Sequence, residues 1–208
     1  MRILISLLCL LLIGGCDSAE VKEWQTKNGQ VIDEMTGQGI ADAIVVARWK
    51  GTAEYSKTVC FHVESATTDK EGHFEIPAWR NETGWRHTEH QHVAITVYKV
   101  GYEDSDKTYK KKSYKEGIYY QKPFVGSADE RLEYLMRNSS SIRCGESGVS
   151  EIKLLALEKR IFREAKDIYH VNGIGKGKVE ILLFGVESLE FGSDEALKRM
   201  TERRNLTE

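Results

Sequence analysis

Three histidines lie close together in the sequence and could bind a transition metal. His87, His90 and His92 have the spacing H-x-x-H-x-H, and imidazole nitrogens are ligands that Zn²⁺ and Cu²⁺ accept. The H-E-x-x-H spacing of a zinc peptidase is absent from the sequence. His90 and His92 would share one face of a strand, because side chains alternate along a strand. Two interpretations stay open: a metal site, or a polar loop that leads into a strand.

Two tryptophans near these histidines could recognise a sugar. Trp79 and Trp85 lie just before the histidines, and an indole ring can stack on the apolar face of a carbohydrate. Tryptophans in such positions also cover the open end of a β-sandwich. The stretch is therefore a candidate metal- or carbohydrate-binding site, with a purely structural alternative.

A run of lysines and tyrosines follows between residues 105 and 126, and it includes Lys110, Lys111 and Lys112. Each lysine near an anionic membrane can add about 1 kcal/mol of binding free energy. The run could thus bind lipid headgroups or cell-wall polymers. Alternatively, it is the solvated face of a strand whose lysines prevent edge-to-edge aggregation.

The motifs of the common enzyme classes are missing. The glycine-rich stretch 173–178 reads GIGKGK, which has neither the spacing nor the final hydroxyl residue of a P-loop. It is similar to the hairpin of helix-hairpin-helix DNA-binding elements. However, 30 basic and 32 acidic residues give a net charge of −2, which does not favour binding to nucleic acid. No G-x-S-x-G motif is present. We therefore expect no catalysis, no cofactor and no nucleic-acid partner.

The N-terminus has the pattern of a targeting segment. Residues 3–13 are an apolar run that would span roughly 16 Å as a helix, too short for a hydrocarbon core of about 30 Å. Gly14, Gly15 and Cys16 follow, and the pattern resembles the lipobox of bacterial lipoproteins. The resemblance implies cleavage after Gly15 and acylation of Cys16, hence a membrane-anchored protein that faces the periplasm. An ordinary signal peptide is the alternative.

The sequence does not decide whether the anchor lies in the inner or the outer membrane. Asp17 follows the cysteine and is similar to an inner-membrane retention signal, so it favours the inner membrane.

Cysteine usage then predicts a disulfide. Of the four cysteines, Cys9 would leave with the signal peptide and Cys16 would carry lipid. Cys60 and Cys144 remain in an oxidising compartment, where disulfides form and persist. We predict that these two cysteines form a disulfide, with two buried thiols or a redox pair as the alternatives. The absence of a C-x-x-C spacing argues against the redox pair.

Short β-branched runs separated by glycine and aspartate fill residues 29–102. Strands are predicted at residues 29–33, 40–49, 58–65, 73–76 and 92–100, with a tight turn at 69–72. Helices are predicted at 127–136, where Ser127 and Glu130 have the spacing of a capping box, at 150–169 and at 193–205. The stretch 178–189 is either helix or strand, with helix preferred.

Several pieces of this β-rich stretch resemble a known family, the carboxypeptidase regulatory-like domain. They are Gly29-x-Val31-x-Asp33, Thr36-Gly37, Ile40-Ala41-Asp42-Ala43-x-Val45, Thr68-Asp69-x-x-Gly72-x-Phe74-x-Ile76-Pro77 and Val100-Gly101-Tyr102. The resemblance implies a seven-stranded, transthyretin-like β-sandwich with Greek-key connections and no catalytic residues. Insertions at residues 50–66 and 81–91 depart from the family pattern.

The sequence therefore predicts a mainly β protein with α-helices packed on its sandwich. The expected segments are a signal peptide (1–15), a tether (16–27), the β-sandwich (28–104), a Lys/Tyr-rich excursion (105–126) and a helical C-terminal region (127–208). The expected function is that of an anchored binding or structural module for an envelope protein or cell-wall component.

Overall fold

Nine strands form three sheets in the part of the chain that the structure, a computed structural model, describes: residues 23–52, 57–80, 89–106, 108, 117–144 and 150–205. The strands are β1 (Glu23–Trp24), β2 (Lys27–Asp33), β3 (Ile44–Thr52), β4 (Thr58–Thr67), β5 (His73–Ile76), β6 (Trp79–Arg80), β7 (Glu89–Tyr98), β8 (Tyr102–Asp104) and β9 (Ile118–Pro123). Four helices follow: α1 (Ala128–Ile142), α2 (Leu155–Asn172), α3 (Lys176–Phe191) and α4 (Ser193–Asn205). The predicted class, mainly β with α, is confirmed.

The strands divide into one sheet of four, one of three and one of two. Their orders are β5-β2-β9-β8, β4-β3-β7 and β1-β6. Strands β2 and β9 run parallel, and the other pairings of the described strands are antiparallel.

The two larger sheets share one apolar core. It contains Val31, Phe74 and Tyr119 from the four-stranded sheet together with Trp49 and Val97 from the three-stranded sheet. We call these two sheets the two-sheet unit.

Strand β3 is buried on both faces, which explains its nearly continuous apolar sequence. Val45 and Ala47 contribute to the core of the two-sheet unit, whereas Ile44 and Val46 contribute to a second core with the helices. The helical residues of this second core include Leu132, Leu135, Leu157, Ile161 and Leu182. Helices therefore pack on the outer face of the three-stranded sheet, and we call them the helical layer.

Strand β9 lies inside the Lys/Tyr-rich stretch. The sequence did not decide whether this stretch forms a strand or an irregular excursion. The backbone of Gln30 to Asp33 pairs with Ile118 to Gln121, so the four-stranded sheet continues past residue 104. Tyr119 and Gln121 are buried while Tyr120 is half-buried. The strand was hard to recognise because a buried glutamine hides the alternation of apolar and polar residues.

The first long strand begins later than predicted. The expected strand 40–49 begins at Ile44 instead, because residues 41 and 42 form a turn. Asp42 has a positive φ of 55°, and the Thr68 hydroxyl accepts a hydrogen bond from the Ala43 backbone at 2.8 Å. The same hydroxyl donates to the Ile40 carbonyl at 2.6 Å, so Thr68 holds the turn against the start of β3.

The helices follow the sequence signals closely. Ser127 caps α1 in a capping box with Glu130, as predicted. The stretch 178–189, left open between helix and strand, lies within helix α3. The helix expected at 150–169 begins at Leu155, after a short 3-10 turn at Ile152–Leu154.

Candidate functional site at the aromatic end

Five aromatic side chains form the most concentrated cluster of rings in the described chain, at one end of the two-sheet unit. Trp49 is fully buried, and its ring centroid lies 6.4 Å from Trp24, 5.8 Å from Trp79 and 5.0 Å from His62. Phe61 completes the cluster, 5.9 Å from Trp79. We call these five residues the aromatic cluster.

A bulge in the sheet brings two neighbouring residues of β4 into this cluster. His62 pairs with Trp49, but the next pair along β3 is Lys50 with Cys60, so Phe61 is the extra residue. A bulge bends the strand locally and changes the direction of a side chain. As a result, Phe61 enters the apolar core, while His62 stacks on Trp79 at 4.0 Å with an interplanar angle of 7°.

His62 is the ionisable group of the cluster. Burial lowers its pKa below the ordinary value, although Glu64, with Oε1 3.3 Å from Nε2, favours the charged ring. Lys153 lies 3.4 Å from the same carboxylate and opposes the positive charge on His62. A neutral imidazole could act as a base, but the cysteine two residues earlier, Cys60, is bonded in a disulfide.

The predicted disulfide between Cys60 and Cys144 is confirmed. The Cα atoms are 5.0 Å apart and the two residues are 84 positions apart in sequence. Cys60 lies on β4, and Cys144 follows the end of α1. The bond therefore ties the edge of the three-stranded sheet to the helical layer, beside the aromatic cluster.

The candidate metal ligands are only partly within the described residues. His87 lies outside them, while His90 and His92 belong to β7. His90 has a positive φ of 48° and the register with β3 shifts nearby, so the regular alternation that would place the two rings on one face is interrupted. The Nδ1 atom of His92 lies 3.1 Å from the His90 carbonyl oxygen.

No three His, Cys, Asp or Glu side chains come together as a possible metal site within the described ranges. The metal site that includes His87 stays a prediction.

Of the two candidate sugar-binding tryptophans, only Trp79 lies within the described residues, and Trp85 lies outside them. Trp79 is half-buried, with His62 stacked on its ring and with Trp49 and Phe61 against it. This packing corresponds to the structural alternative, in which Trp79 covers one end of the core.

The remaining predicted site residues lie outside the described residues. They are the lipidation site Cys16 and the three lysines Lys110, Lys111 and Lys112. Their roles stay predictions. No helix within the described chain combines the length and the apolar character needed to cross a bilayer.

Two buried ion pairs in the helical layer were not anticipated. The Arg131 guanidinium donates to both Glu164 carboxylate oxygens, at 2.8 and 3.1 Å, and that carboxylate also accepts from the Tyr98 hydroxyl at 2.6 Å. Burial, followed by the nearby Glu164 charge, raises the pKa of Tyr98. This network joins α1, α2 and β7.

The second pair joins three helices. Arg143 donates to Glu158 at 3.1 Å and to the Gly185 carbonyl at 2.7 Å. The Glu158 side chain is fully buried, and burial raises its pKa even though Arg143 and Ser139 favour the charged form. No sequence motif indicates either pair, because the partners lie 33 and 15 positions apart.

Comparison with known proteins does not assign the chain to a family. No family model matches the chain, and no curated protein matches it. The functional argument therefore depends on the residues and their contacts.

Proposed function

We propose that this chain is a membrane-anchored lipoprotein of the bacterial cell envelope, whose folded part is a non-catalytic binding or structural module. The observation that carries the proposal is the apolar run 3–13 followed by Gly14, Gly15 and Cys16. The Cys60–Cys144 disulfide supports it, because such bonds persist in oxidising compartments. The partner is an envelope protein or a cell-wall component, and the membrane is the inner one if Asp17 acts as a retention signal.

We also propose that the two-sheet unit is a transthyretin-like β-sandwich with Greek-key connections. The larger sheets contain four and three strands, which agrees with the seven strands that the family resemblance implies. Their inner faces contribute to a single apolar core.

Internal pairing of the buried charges supports a role without catalysis. Arg131 is paired with Glu164, and Arg143 with Glu158. Asp33 accepts hydrogen bonds from two backbone amides and from the Tyr102 hydroxyl. Groups that are held in this way stabilise the fold, and they are not directed at a substrate.

Acylation can be tested by metabolic labelling with a palmitate analogue in a bacterial host, followed by membrane fractionation. We expect the wild-type chain to carry label and to partition with membranes, and Cys16→Ser to do neither. Cys9→Ser is the matched control and should behave like wild type, because Cys9 would leave with the signal peptide. Label on the Cys16→Ser chain would contradict the proposal.

A metal-binding role remains the second candidate, and His90 and His92 on β7 make it testable. A metal that binds only the folded chain at 100 times its dissociation constant adds about 2.7 kcal/mol to the free energy of unfolding. Thermal melts with Zn²⁺ or Cu²⁺ should then shift for wild type, and not for the variant His87→Ala/His90→Ala/His92→Ala. His170→Ala, an exposed histidine on α2, is the control. Absence of any wild-type shift would exclude this candidate.

A further inference from the structure

The chain enters the fold at the aromatic end of the two-sheet unit. Glu23 and Trp24 pair with Arg80 and Trp79, and Trp24 packs on Trp49. The same end holds the start of β2, the end of β3 and the start of β4, since Thr52 pairs with Thr58. We call this the entry end.

The opposite end carries the turns that join β2 to β3, β4 to β5 and β7 to β8. Ile44 begins β3 opposite Thr67 and Tyr98, which places those strand ends together. We call this the turn end.

The length of chain before Glu23 limits how far a lipid on Cys16 can lie from the entry end. Seven residue steps separate Cys16 from Glu23, and an extended chain covers at most about 3.6 Å per step, hence about 25 Å in total. Strand β7 has 10 residues and spans about 33 Å at roughly 3.3 Å per residue. The tether is therefore too short to carry the lipid past the turn end, and β1 is held by its pairing with β6.

The exposed charged side chains of the two ends differ: basic and acidic groups are equal in number at the entry end, and carboxylates outnumber lysine at the turn end. Exposed basic side chains at the entry end include Lys27, Lys57 and Arg80, with Glu23 3.8 Å from Arg80. Glu75 and Asp106 are also exposed on this side. The turn end exposes three carboxylates, Asp42, Asp69 and Glu71, with Lys70 among them. Two half-buried cations, Lys99 and Arg160, are held there by the backbone carbonyls of Ala41 and Asp42. An anionic headgroup layer attracts basic residues, by about 1 kcal/mol each near the surface, and repels carboxylates.

We propose that the entry end faces the bilayer and contacts its anionic lipid headgroups, and that the turn end points away from the membrane. The proposal depends on the acylation of Cys16 proposed above. It assigns an orientation: the turns of the turn end are presented to soluble partners, while Lys27, Lys57 and Arg80 lie against the lipid surface.

The orientation can be measured by energy transfer from the protein to the membrane. The full-length acylated chain is prepared as Thr26→Cys and as Gln38→Cys, two exposed neutral positions at the entry end and the turn end. Each is labelled with a fluorophore and placed in phosphatidylcholine vesicles with phosphatidylglycerol and a rhodamine lipid as acceptor. Because the ends are separated by about 30 Å, we expect transfer from Thr26→Cys to exceed that from Gln38→Cys by about twofold or more.

Equal transfer from the two positions, or greater transfer from Gln38→Cys, would overturn the orientation. Mass analysis without reductant first verifies one fluorophore per chain and an intact Cys60–Cys144 bond. The palmitate label is measured on the same samples, so a chain that is never acylated refutes the proposed function and this inference together. An acylated chain with equal transfer refutes the orientation alone.

The lipid partner is tested by reversing charge at the entry end. Lys27→Glu/Lys57→Glu should lower the transfer from Thr26→Cys in vesicles with phosphatidylglycerol, and should leave it unchanged in pure phosphatidylcholine. Lys70→Glu/Lys166→Glu is the matched control, because both lysines are exposed and distant from the entry end. An unchanged transfer with both lipids would overturn the contact between this surface and anionic headgroups.

Discussion

The three-stranded sheet is covered on both faces, and the two coverings differ in chemistry. On the inner face Val45, Ala47 and Trp49 meet an apolar and aromatic core. On the outer face Ile44 and Val46 meet apolar helical residues, and the helical layer also contains Arg131 and Glu164, which are 5% and 9% exposed at the side chain. One face is held by non-directional burial, whereas the other adds directional contacts between charged groups.

This difference shows how the two regions are fixed in place. Apolar burial gains free energy in many alternative arrangements, so the strand pairing must supply the register of the two-sheet unit. Helices can slide on an apolar surface, and a buried charge pair has one acceptable geometry. We infer that the pairs Arg131–Glu164 and Arg143–Glu158, together with the disulfide, define the position of the helical layer.

The largest expected effect is in the apolar core. Trp49→Ala removes a fully buried ring that contacts Trp24, Trp79 and His62, and large-to-small core changes of this kind cost about 4 kcal/mol of unfolding free energy. Urea denaturation measures it. Val125→Ala, at a side chain that is 90% exposed, should change the free energy by less than about 0.5 kcal/mol. A cost for Trp49→Ala similar to this control would mean that the aromatic cluster does not stabilise the fold.

The next largest effect concerns the buried ion pair between Arg131 and Glu164 in the helical layer. Arg131→Met leaves the Glu164 carboxylate buried without its guanidinium, which should cost about 3 kcal/mol, and the double variant Arg131→Met/Glu164→Leu should recover part of that loss. The recovery is partial because the Tyr98 hydroxyl then loses its 2.6 Å acceptor. Arg199→Met breaks a pair with Glu195 whose partners are 41% and 42% exposed, and should cost less than about 1 kcal/mol. A double variant no more stable than Arg131→Met would contradict the view that the unpaired charge causes the loss.

The features that could be predicted from the sequence are those that depend on neighbouring residues. The strands of residues 27–33 and 73–76, and the capping box of Ser127, depend on spacings of two to four residues, and these local signals were sufficient. The disulfide followed from counting cysteines in a chain whose N-terminal sequence predicts export. Strand β9 could not be distinguished from an irregular excursion, because its pairing with β2 joins residues far apart in the chain and its inward residues include Gln121.

The site was less predictable than the fold. The stack of His62 on Trp79 depends on a bulge at Phe61, and no local pattern marks a bulge. The buried ion pairs depend on how the helices cross, and charged residues on a helix usually indicate a solvated face. Sequence therefore indicated which elements form, but it did not indicate which polar side chains become buried between them.

The pH dependence of stability should separate the two regions. Burial alone would raise the pKa of Asp33, but hydrogen bonds from Thr36, Met35 and Tyr102 outweigh it and hold the pKa below its ordinary 3.8. The stability that this carboxylate contributes is present above pH 3.8 and is lost as the pH falls through the lower pKa of the folded chain. Asp33→Asn should cost about 2 kcal/mol near neutral pH, since hydrogen bonds to a charged group are removed, and the deficit should shrink in acid.

Glu158 in the helical layer should respond in the opposite direction. Its pKa is raised above the ordinary 4.5 by burial, so its contribution is fully present below that value and is lost as the pH rises through the raised pKa. Relative to Glu158→Gln, the wild-type chain should lose stability as the pH rises above 4.5. Urea midpoints across the acidic range measure both variants. If the stability differences of Asp33→Asn and Glu158→Gln from wild type changed with pH in the same direction, the proposed opposite pKa shifts of Asp33 and Glu158 would be wrong.

The smallest effect concerns the beginning of the helical layer. The Ser127 hydroxyl accepts from the Glu130 backbone N–H at 3.3 Å, and the Glu130 carboxylate accepts from the Ser127 backbone N–H at 2.7 Å. Ser127→Ala removes one half of this capping box and should cost about 1 kcal/mol. Ser140→Ala, an exposed serine near the end of the same helix, should cost much less. Helix α1 carries Arg131 and leads to Cys144. A loss of unfolding free energy well above about 1 kcal/mol, the usual cost of removing a cap, would therefore indicate that the start of α1 also positions the Arg131–Glu164 pair.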